Sequence, residues 1–401
     1  MSEVAIVHRE KIGETPVEFS EHSVSVITEM IDESFRLLGI RAETLQSKSV
    51  LIKPNLVRPD PQRNPSISTD PRVILALCRY LIDCEANKIT VGENPGYGLP
   101  AKAAFRLAQI VHPLKRMGIG LSFFDEEEIV CVPNPRGVLL KRVYQAKSVI
   151  DHEILINVPK MKTHKHTLVS LGLKNLQGIL LDPQRRLFHR NDIEQKIIDT
   201  YLSAVPWLTL IDGIWPMEGQ APFCGLPIRD FNTIVAGQDT VAVDMITSEI
   251  MGFSHEEIAT LRIARWMNLP GSQRSDINDL GQNPNDVKRQ FIRPVLSSTG
   301  VFENILVIEG GACTGCLSAL RHSLDKMACA GGLEKLGDAT IYVGRPMPNV
   351  KTVRDWRGTL YLFGNCAVDL VFSHPEKRLA PVFIPGCAPH VLDFYRTVIG
   401  E

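Results

Sequence analysis

Short apolar runs alternate along this chain with amphipathic stretches, and this pattern limits the folds that the chain can adopt. The run SVLIKPNLV is followed by the amphipathic stretch PRVILALCRYLIDCEA, which the helix cap Thr69-Asp70-Pro71 opens. The runs KITVGENP, IGLSFFDEE, HEILINVPK, LTLIDGI and FNTIVAG continue the pattern. Such runs predict buried strands, and the stretches between them predict covering helices. The sequence therefore predicts an α/β fold with a parallel or mixed sheet.

The alternation is interrupted and then restarts near the C-terminus. Residues 271–300 are polar and rich in turn-forming residues, which is typical of a linker. Beyond them, ENILVIEG, ATIYVG, TLYLFG and PVFIPG indicate four strands with helices between them. We therefore predict a larger α/β domain at residues 1–270, a linker at residues 271–300 and a smaller flavodoxin-like module at residues 301–401.

Composition and charge limit the kinds of partner that this protein is expected to bind. The 401 residues carry a formal net charge of −1, so no global charge draws the chain to nucleic acid or to an anionic membrane surface. No run approaches the roughly 18 apolar residues that a membrane helix needs. The segment MSEVAIVHREKIGE has no long apolar core behind a basic start, so no secretory signal is predicted. We expect a cytoplasmic protein that binds neither nucleic acid nor membrane.

Four cysteines near the C-terminus each follow an apolar run and lie in a glycine-rich turn. They are Cys313 and Cys316 in ILVIEGGACTGC, Cys366 in TLYLFGNCA and Cys387 in PVFIPGCAP. If these runs are parallel strands, the thiols gather at the carboxyl edge of one sheet, where open α/β sheets bind ligands. Four thiolates predict a metal site, and a 4Fe–4S cluster is favoured because glycine turns let backbone N–H groups reach the sulfurs. Structural zinc and buried, metal-free thiols are the alternatives.

The three cysteine motifs, G-A-C-T-G-C, G-N-C-A and P-G-C-A-P, resemble known cluster-binding motifs. They are similar to the proximal-cluster module of the nickel–iron hydrogenase small subunit and to the related cluster subunit of respiratory complex I. This resemblance, confined to the C-terminal module, implies a flavodoxin-like unit with one 4Fe–4S cluster beside a partner's reaction site. It also implies that Cys313, Cys316, Cys366 and Cys387 are the ligands. The chain departs from that family at Ala388, where proline is usual.

A dense basic stretch lies in the first part of the chain. The run HEILINVPK would deliver Lys160, Lys162 and His164 to a loop at the edge of the sheet, and Lys174 and Asn175 follow in LGLKNLQG. Cationic groups focused in a cleft bind carboxylate or phosphate, or stabilise charge that develops in a transition state. A solvated basic surface is the alternative, but apolar residues flank these charges closely. We therefore predict an anion-binding site.

Further polar residues lie at comparable strand ends. Lys53 and Asn55 end SVLIKPN, Glu93 closes KITVGENP, Asp212 closes LTLIDG and Glu218 follows in a loop. Carboxylates at strand ends serve as general bases or as ligands for a hard metal ion. They equally serve as helix caps and loop anchors, so both interpretations stay open.

Several segments between residues 48 and 252 resemble the family known as domain of unknown function 362. The segments are LIKPNLV, STDPRVILAL, VGENP, LINVPKMKTH, LGLKNLQG, LIDGIWPMEG and AGQDTVAVD. The resemblance implies little about activity, because the family has no settled one, but its members often carry iron–sulfur ligands in an appended ferredoxin segment. This chain lacks the C-x-x-C-x-x-C-x-x-x-C run of such a segment and has the hydrogenase-like module in its place. One cluster is therefore favoured over a relay of two.

Together these features predict a 4Fe–4S protein, and in particular a redox enzyme that acts on a small anionic substrate or cofactor. The module would pass single electrons, the lysines would neutralise developing negative charge, and His164 or Glu93 would handle protons. The alternatives are a non-catalytic electron-transfer subunit that docks on a redox partner protein, and a non-redox enzyme or a zinc-binding protein. The oligomeric state stays open, with a homodimer as one option. The predicted catalytic residues are Lys160, Lys162, His164, Glu93 and Asp212, and the predicted ligand-binding residues are Lys53, Asn55, Lys174, Asn175 and Glu218.

Overall fold

The computed structural model describes residues 1–13, 20–96, 99–181, 184, 192–222, 224–347, 356–373 and 380–400. The chain divides into two units. Unit 1 comprises residues 1–185 and 194–294, and unit 2 comprises residues 186–193 and 295–401. Each unit has its own main sheet, so each is described by itself.

The described part of unit 1 contains thirteen strands, of which eleven form one mixed sheet. β5 and β6 form a separate antiparallel hairpin. The strands are β1 Ser2–His8, β2 Ser49–Pro54, β3 Lys88–Glu93, β4 Gly120–Phe123, β5 Ile129–Pro133, β6 Arg142–Ala146, β7 Ile154–Val158, β8 Lys160–His164, β9 Leu168–Ser170, β10 Leu208–Gln220, β11 Cys224–Pro227, β12 Thr233–Gly237 and β13 Ile277–Gly281.

A run of five parallel strands occupies one half of the unit 1 sheet. The strand order is β13-β1-β12-β10-β7-β2-β3-β4, with β8 and β11 paired to β10 and with β9 paired to β8. β10, β7, β2, β3 and β4 run parallel to one another, whereas β12 is antiparallel to both of its neighbours. Because parallel strands point the same way, the carboxyl ends of β2, β3 and β7 meet at one edge of the sheet.

The helices up to residue 294 cover this sheet and contribute to its apolar core. Helix α2 begins as the sequence predicts, because the Asp70 side chain accepts a hydrogen bond from the Arg72 N–H and Pro71 follows the cap. Phe35 of α1 is fully buried in the same cluster as Val50 of β2. The helices are α1 Glu21–Leu37, α2 Pro71–Asp83, α3 Ala101–Leu107, α4 Val111–Arg116, α5 Lys147–Asp151, α6 Gly172–Asn175, α7 Ile193–Ser203, α8 Thr240–Ile250 and α9 Ala259–Trp266, with 3-10 turns at Ala42–Thr44, Phe124–Glu126, Leu176–Ile179, His255–Glu257 and Arg274–Asp276.

Two segments of unit 1 differ from their predicted structure. The predicted loop that carries Lys160, Lys162 and His164 is strand β8, which pairs with the second half of the long strand β10 and with β9. The predicted linker 271–300 contains β13, which pairs in parallel with β1 at the end of the strand order. Both strands are polar, so their composition resembles that of loops, and pairing with distant strands decides their conformation.

Unit 2 contains a parallel sheet of four described strands in chain order. The reversal of strand order that marks flavodoxin is not seen among these four strands. A larger unit with a mixed sheet and a smaller unit with a parallel sheet confirm the predicted α/β fold class. The elements are β14 Ile305–Glu309, α10 Thr314–Ala330, α11 Leu333–Leu336, β15 Ala339–Val343, β16 Thr359–Phe363, the 3-10 turn Asn365–Val368, α12 Asp369–Ser373, β17 Val382–Ile384 and α13 Val391–Ile399.

Candidate functional site

A pocket in unit 1 collects most of the polar residues that the sequence predicted. The pocket has ≈ 430 Å³ of space free of protein atoms, which includes open solvent at its mouth, and it is bordered by the residues at the carboxyl ends of β2 and β3, by β8 and by α6. We call it the lysine pocket. Its polar lining consists of Lys53, Asn55, Glu93, Asn94, Lys162, His164, Ser170, Lys174, Asn175 and Gln177. Gly178 also lines the pocket.

The ends of β2 and β3 contribute a buried ion pair to the lysine pocket. Lys53 Nζ donates to Glu93 Oε2 and to the carbonyl oxygen of Pro54, each at 2.8 Å. Glu93 also accepts the N–H of Leu56 at 3.2 Å and that of Asn94 at 2.9 Å. One charged donor and two backbone donors therefore fix the position of this carboxylate.

The backbone of the turn after α6 comes very close to this ion pair. A Cβ atom placed on Gly178 would lie 1.9 Å from Glu93 Oε1 and 2.5 Å from Lys53 Nζ. The Gly178 carbonyl also accepts the Asn94 N–H at 3.1 Å. Any larger residue here would displace the carboxylate or the lysine.

Lys162 reaches the pocket from β8 and is almost wholly buried. Its Nζ donates to Asn55 Oδ1 at 2.8 Å and to the carbonyl oxygen of Ile67 at 2.7 Å, and both of these acceptors are uncharged. Among the described residues, no carboxylate forms an ion pair with it. Burial, followed by the charges of Lys174 and Lys160, lowers the pKa of Lys162 well below its usual value. The buried amine is therefore readily deprotonated.

Lys174 and Gln177 form the opposite part of the pocket lining. They lie three residues apart across α6 and its 3-10 turn, and Lys174 Nζ donates to Gln177 Oε1 at 2.6 Å. Gln177 Nε2 is buried and has no hydrogen-bond partner among the residues that the structure describes. A buried donor without an acceptor is costly, so an acceptor from a ligand would stabilise this arrangement.

A hydrogen-bond network holds α6 in place. Asp244 of α8 accepts the N–H of Gly172 at 2.6 Å and that of Leu173 at 3.0 Å. Asn175 Nδ2 donates to Asn157 Oδ1 at 2.8 Å, and Asn175 Oδ1 accepts from Asn55 Nδ2 at 2.9 Å. Burial raises the pKa of Asp244 to about 7, although the two backbone donors act against this effect. Asn175 therefore positions Asn55, which in turn holds Lys162.

Two histidines follow Lys162 on the same strand and the turn after it. His164 lines the pocket, and its Nδ1 accepts the N–H of His166 at 3.1 Å. This contact assigns the hydrogen of a neutral His164 ring to Nε2. Burial, together with Lys174 and Lys165, lowers the pKa of His166 to about 3, so His166 is neutral at physiological pH.

Lys160 and Asp212 do not line the pocket. Lys160 Nζ donates to Asp212 Oδ2 at 2.9 Å, and both side chains are fully buried. Asp212 also accepts the N–H of Asp70 at 2.6 Å and that of Ile214 at 3.0 Å. Burial raises the pKa of Asp212 although Lys160 opposes the shift. This pair connects β8 to β10, and the structure gives it no direct access to a ligand in the lysine pocket.

Glu218 also lies apart from the lysine pocket. Its Oε2 accepts the N–H of Ile292 at 2.9 Å, and the carbonyl oxygen of Ile292 accepts the N–H of Gly219 at 2.8 Å. The side chain is buried at the C-terminal part of β10. The sequence interpretation of Glu218 as a loop anchor therefore fits the structure better than its interpretation as a ligand-binding residue.

The four predicted cluster ligands lie in turns after strands of unit 2. Cys313 and Cys316 lie at the start of α10 after β14, Cys366 follows β16 and Cys387 follows β17. Burial and, to a smaller extent, the neighbouring Cys313, Cys387 and Cys366 raise the pKa of the Cys316 thiol to about 12. The other three thiols therefore lie near enough to Cys316 to affect its charge.

Glycines bring the backbone close to these thiols. A Cβ atom on Gly364, whose φ is +93°, would lie 3.1 Å from Cys316 Sγ, and one on Gly315 would lie 3.7 Å from Cys313 Sγ. In the part of the chain that the structure describes, no three His, Cys, Asp or Glu side chains converge so as to hold one metal ion. A 4Fe–4S cluster makes a different demand, because its four thiolates ligate four separate iron atoms and stand further apart.

Comparison with known proteins assigns a family to part of the chain. Residues 50–249 match the family described as Domain of unknown function (DUF362). The predicted resemblance to this family is therefore confirmed for that part. All of the residues that line the lysine pocket fall within the DUF362 match, whereas the four cysteines lie outside it.

Two further proteins are similar to the chain. It is 25% identical over 226 residues to the thylakoid-associated protein sll1697 of Synechocystis sp., and the match covers 55% of this chain and 68% of that protein. The lactate racemase apoprotein of Thermoanaerobacterium thermosaccharolyticum matches 57% of this chain with a TM-score of 0.38 and 14% identity. The chain covers 55% of that structure, little more than half of its length. No helix that the structure describes has both the length and the apolar character needed to cross a membrane.

Sequence reasoning missed several residues of the DUF362 match that shape the pocket. Gln177 and Gly178 belong to the segment LGLKNLQG, but only its lysine and asparagine were selected from the sequence. The spacing of Lys174 and Gln177, three residues apart, would have placed them together on one helical turn. Asp244 gave no comparable signal, because its contact with α6 joins residues more than seventy positions apart.

Proposed function

We propose that this protein binds a small anionic substrate in the lysine pocket and carries a 4Fe–4S cluster on the four cysteines of unit 2. The observation that carries the first part is the buried set of donors formed by Lys162, Lys174 and Gln177 Nε2. A carboxylate or phosphate group supplies the acceptor that Gln177 Nε2 lacks among the described residues, and it brings negative charge beside the two lysines. The proposed reaction class is reduction of the bound compound.

The pocket residues have distinct tasks in this proposal. Lys174 and Gln177 bind the anionic group, and Asn55 and Asn175 orient Lys162. When an anion without a carbonyl group enters, such as phosphate, Lys162 takes up a proton, because the anion opposes the burial and the lysine charges that lower its pKa. His164 lines the pocket beside the substrate and is the proposed residue for proton transfer, and the Lys53–Glu93 pair holds the wall of the pocket.

The cysteine turns suit a cluster in their donor chemistry. Cys316 is buried among three further thiols, and positive iron atoms would offset the burial that opposes its thiolate form. A cluster supplies single electrons when it is bound.

A redox partner protein and a cytoplasmic location are part of the same proposal. Cell fractionation tests the location, because the similar Synechocystis protein is described as thylakoid-associated.

Calorimetric titration with phosphate and with acetate tests the anion site. Lys174→Met removes one charged donor and should weaken binding about ten- to hundred-fold, which is the usual effect of losing a hydrogen bond to a charged group. The half-exposed Lys102 on α3 provides the matched control, and Lys102→Met should bind as the wild type does. Equal affinities of the wild type and Lys174→Met would overturn the proposed anion site.

A further inference from the structure

The contacts of Lys162 match those of an uncharged amine. A neutral amine has two N–H donors and one lone pair, whereas an ammonium has three donors. Among the described residues, Lys162 Nζ has two acceptors, Asn55 Oδ1 and the Ile67 carbonyl oxygen, and these account for both hydrogens of the neutral form. The remaining position on the nitrogen is then a lone pair, and Lys162 is one of the residues that line the pocket.

The surroundings of Lys162 are those of a lysine activated as a nucleophile. Desolvation and a second cationic group nearby are the two devices that keep such an amine uncharged and reactive towards carbonyl compounds. Lys162 is 2% exposed, and the lysines that bear on its charge are Lys174, Lys160 and Lys53. Among the described charged groups with the largest effect on Lys162, Glu93 is the carboxylate.

We propose that Lys162 forms an imine with a small 2-oxo acid bound in the lysine pocket. The inference rests on the proposed anion site, since Lys174 and Gln177 Nε2 bind the carboxylate of the 2-oxo acid and bring its carbonyl carbon to Lys162. The carbonyl group distinguishes this ligand class from carboxylates and phosphates that only bind. The proposed ligand class therefore specifies a carbonyl group in the substrate as well as a negative charge.

Formation of the imine requires neither an oxidant nor a reductant. The Lys162 nitrogen forms a bond to the carbonyl carbon, and the resulting carbinolamine loses its oxygen as water. One hydrogen of that water comes from the amine and the other comes from solvent, so the product is a protonated imine. The negative charges of Glu93 and of the substrate carboxylate stabilise this cation in a site that otherwise gathers positive charge.

Reductive trapping tests the imine directly. The full-length protein is incubated with pyruvate and cyanoborohydride, digested, and mapped by mass spectrometry. We expect Lys162 to gain the mass of pyruvic acid less one oxygen atom, with saturation at pyruvate concentrations that leave the exposed Lys102 unmodified. Lys162→Met should lose the adduct in this peptide, and Lys102→Met should retain it. Phosphate, which has no carbonyl group, should compete with the modification.

Further measurements keep the proposal testable if Lys162→Met does not fold. They also distinguish failure of the imine from failure of the anion site. Lys174→Met keeps the nucleophile and should give about ten-fold less adduct at a fixed pyruvate concentration. Binding of propionate to the wild type without any adduct from pyruvate would overturn the imine and leave the anion site standing. Absence of both propionate binding and the adduct would overturn the anion site as well. An adduct of equal yield in Lys174→Met would overturn the role of the carboxylate.

Discussion

The lysine pocket of unit 1 and the cysteine turns of unit 2 differ in how far the protein itself provides partners for their polar groups. Lys53, Lys162 and Lys174 each donate to an oxygen atom of the protein, and Glu93 accepts from three groups. The buried thiol of Cys316, by contrast, has other thiols as its polar neighbours. The pocket is therefore organised before a ligand enters, whereas the thiols need a bound group to hold them as thiolates.

The largest expected effect of this difference concerns the cysteine turns. Cys366→Ala removes one proposed ligand, and we expect it to lose the electron paramagnetic resonance signal of the reduced 4Fe–4S cluster after anaerobic reconstitution. Cys131→Ala changes an exposed free cysteine in β5 of unit 1 and should keep the signal. An unchanged signal in Cys366→Ala would remove this residue from the ligand set. Anion binding in unit 1 should be the same in both variants.

The second prediction concerns the ion pair behind the pocket. Asp212→Asn leaves the fully buried ammonium of Lys160 without its counter-charge, so we expect a loss of about 3–5 kcal/mol in the free energy of unfolding. Glu126→Gln breaks a half-exposed ion pair with Lys102 and should cost less than about 1 kcal/mol. Urea unfolding followed by tryptophan fluorescence measures both. Similar losses in the two variants would contradict the structural role of the buried pair.

The third prediction concerns the pH dependence of stability through Asp244. Its pKa is raised to about 7 in the folded protein from an ordinary value of 3.8, so the folded state binds the proton more tightly than the unfolded state does. The stabilising contribution is complete below about pH 4 and is lost as the pH rises to about 7, by a few kcal/mol in total. Asp244→Asn should flatten this part of the stability curve, whereas Asp276→Asn, at an exposed position, should keep the wild-type slope. An identical slope in Asp244→Asn would exclude this group as the cause.

The smallest expected effect comes from the close approach at Gly178. Gly178→Ala forces the Lys53–Glu93 pair to shift, and overpacking of this kind costs about 1–3 kcal/mol. Gly332→Ala serves as the control, because an added Cβ there would have its nearest contact at an ordinary 3.5 Å. Thermal unfolding of the two variants checks the difference. A Gly178→Ala variant as stable as Gly332→Ala would show that the pocket wall adapts easily.

The sequence predicts the fold class well because the apolar runs that form β2, β3, β7, β10 and β12 carry a strong local signal. It predicts β8 as a loop, since the residues KMKTH have no apolar alternation and only the pairing with β10 and β9 makes them a strand. It also predicts a linker where β13 pairs with β1, because four of the five residues of β13 are not buried and resemble a surface turn. Long-range pairing therefore decides the elements that local composition does not.

The candidate site, like the fold, could be predicted only in part from the sequence. Lys53, Asn55, Glu93, Lys162 and His164 could be placed together because they come at or after the ends of parallel strands. Asp212 ends a predicted strand run in the same way, yet β10 continues beyond it and the side chain is buried against Lys160. The sequence shows neither where β10 ends nor that Asp212 pairs with Lys160. It therefore cannot distinguish a carboxylate in a pocket from a carboxylate buried in an ion pair.

Proton uptake on anion binding tests the central claim most directly. Phosphate is titrated calorimetrically near neutral pH in two buffers with different ionisation enthalpies, which reports the protons that accompany binding. We predict that the wild type takes up protons when phosphate binds, because the anion raises the lowered pKa of Lys162 towards its usual value. Lys162→Met should lose this uptake and Lys102→Met should keep it. Binding with the same proton uptake in Lys162→Met, or no binding by the wild type, would contradict the account.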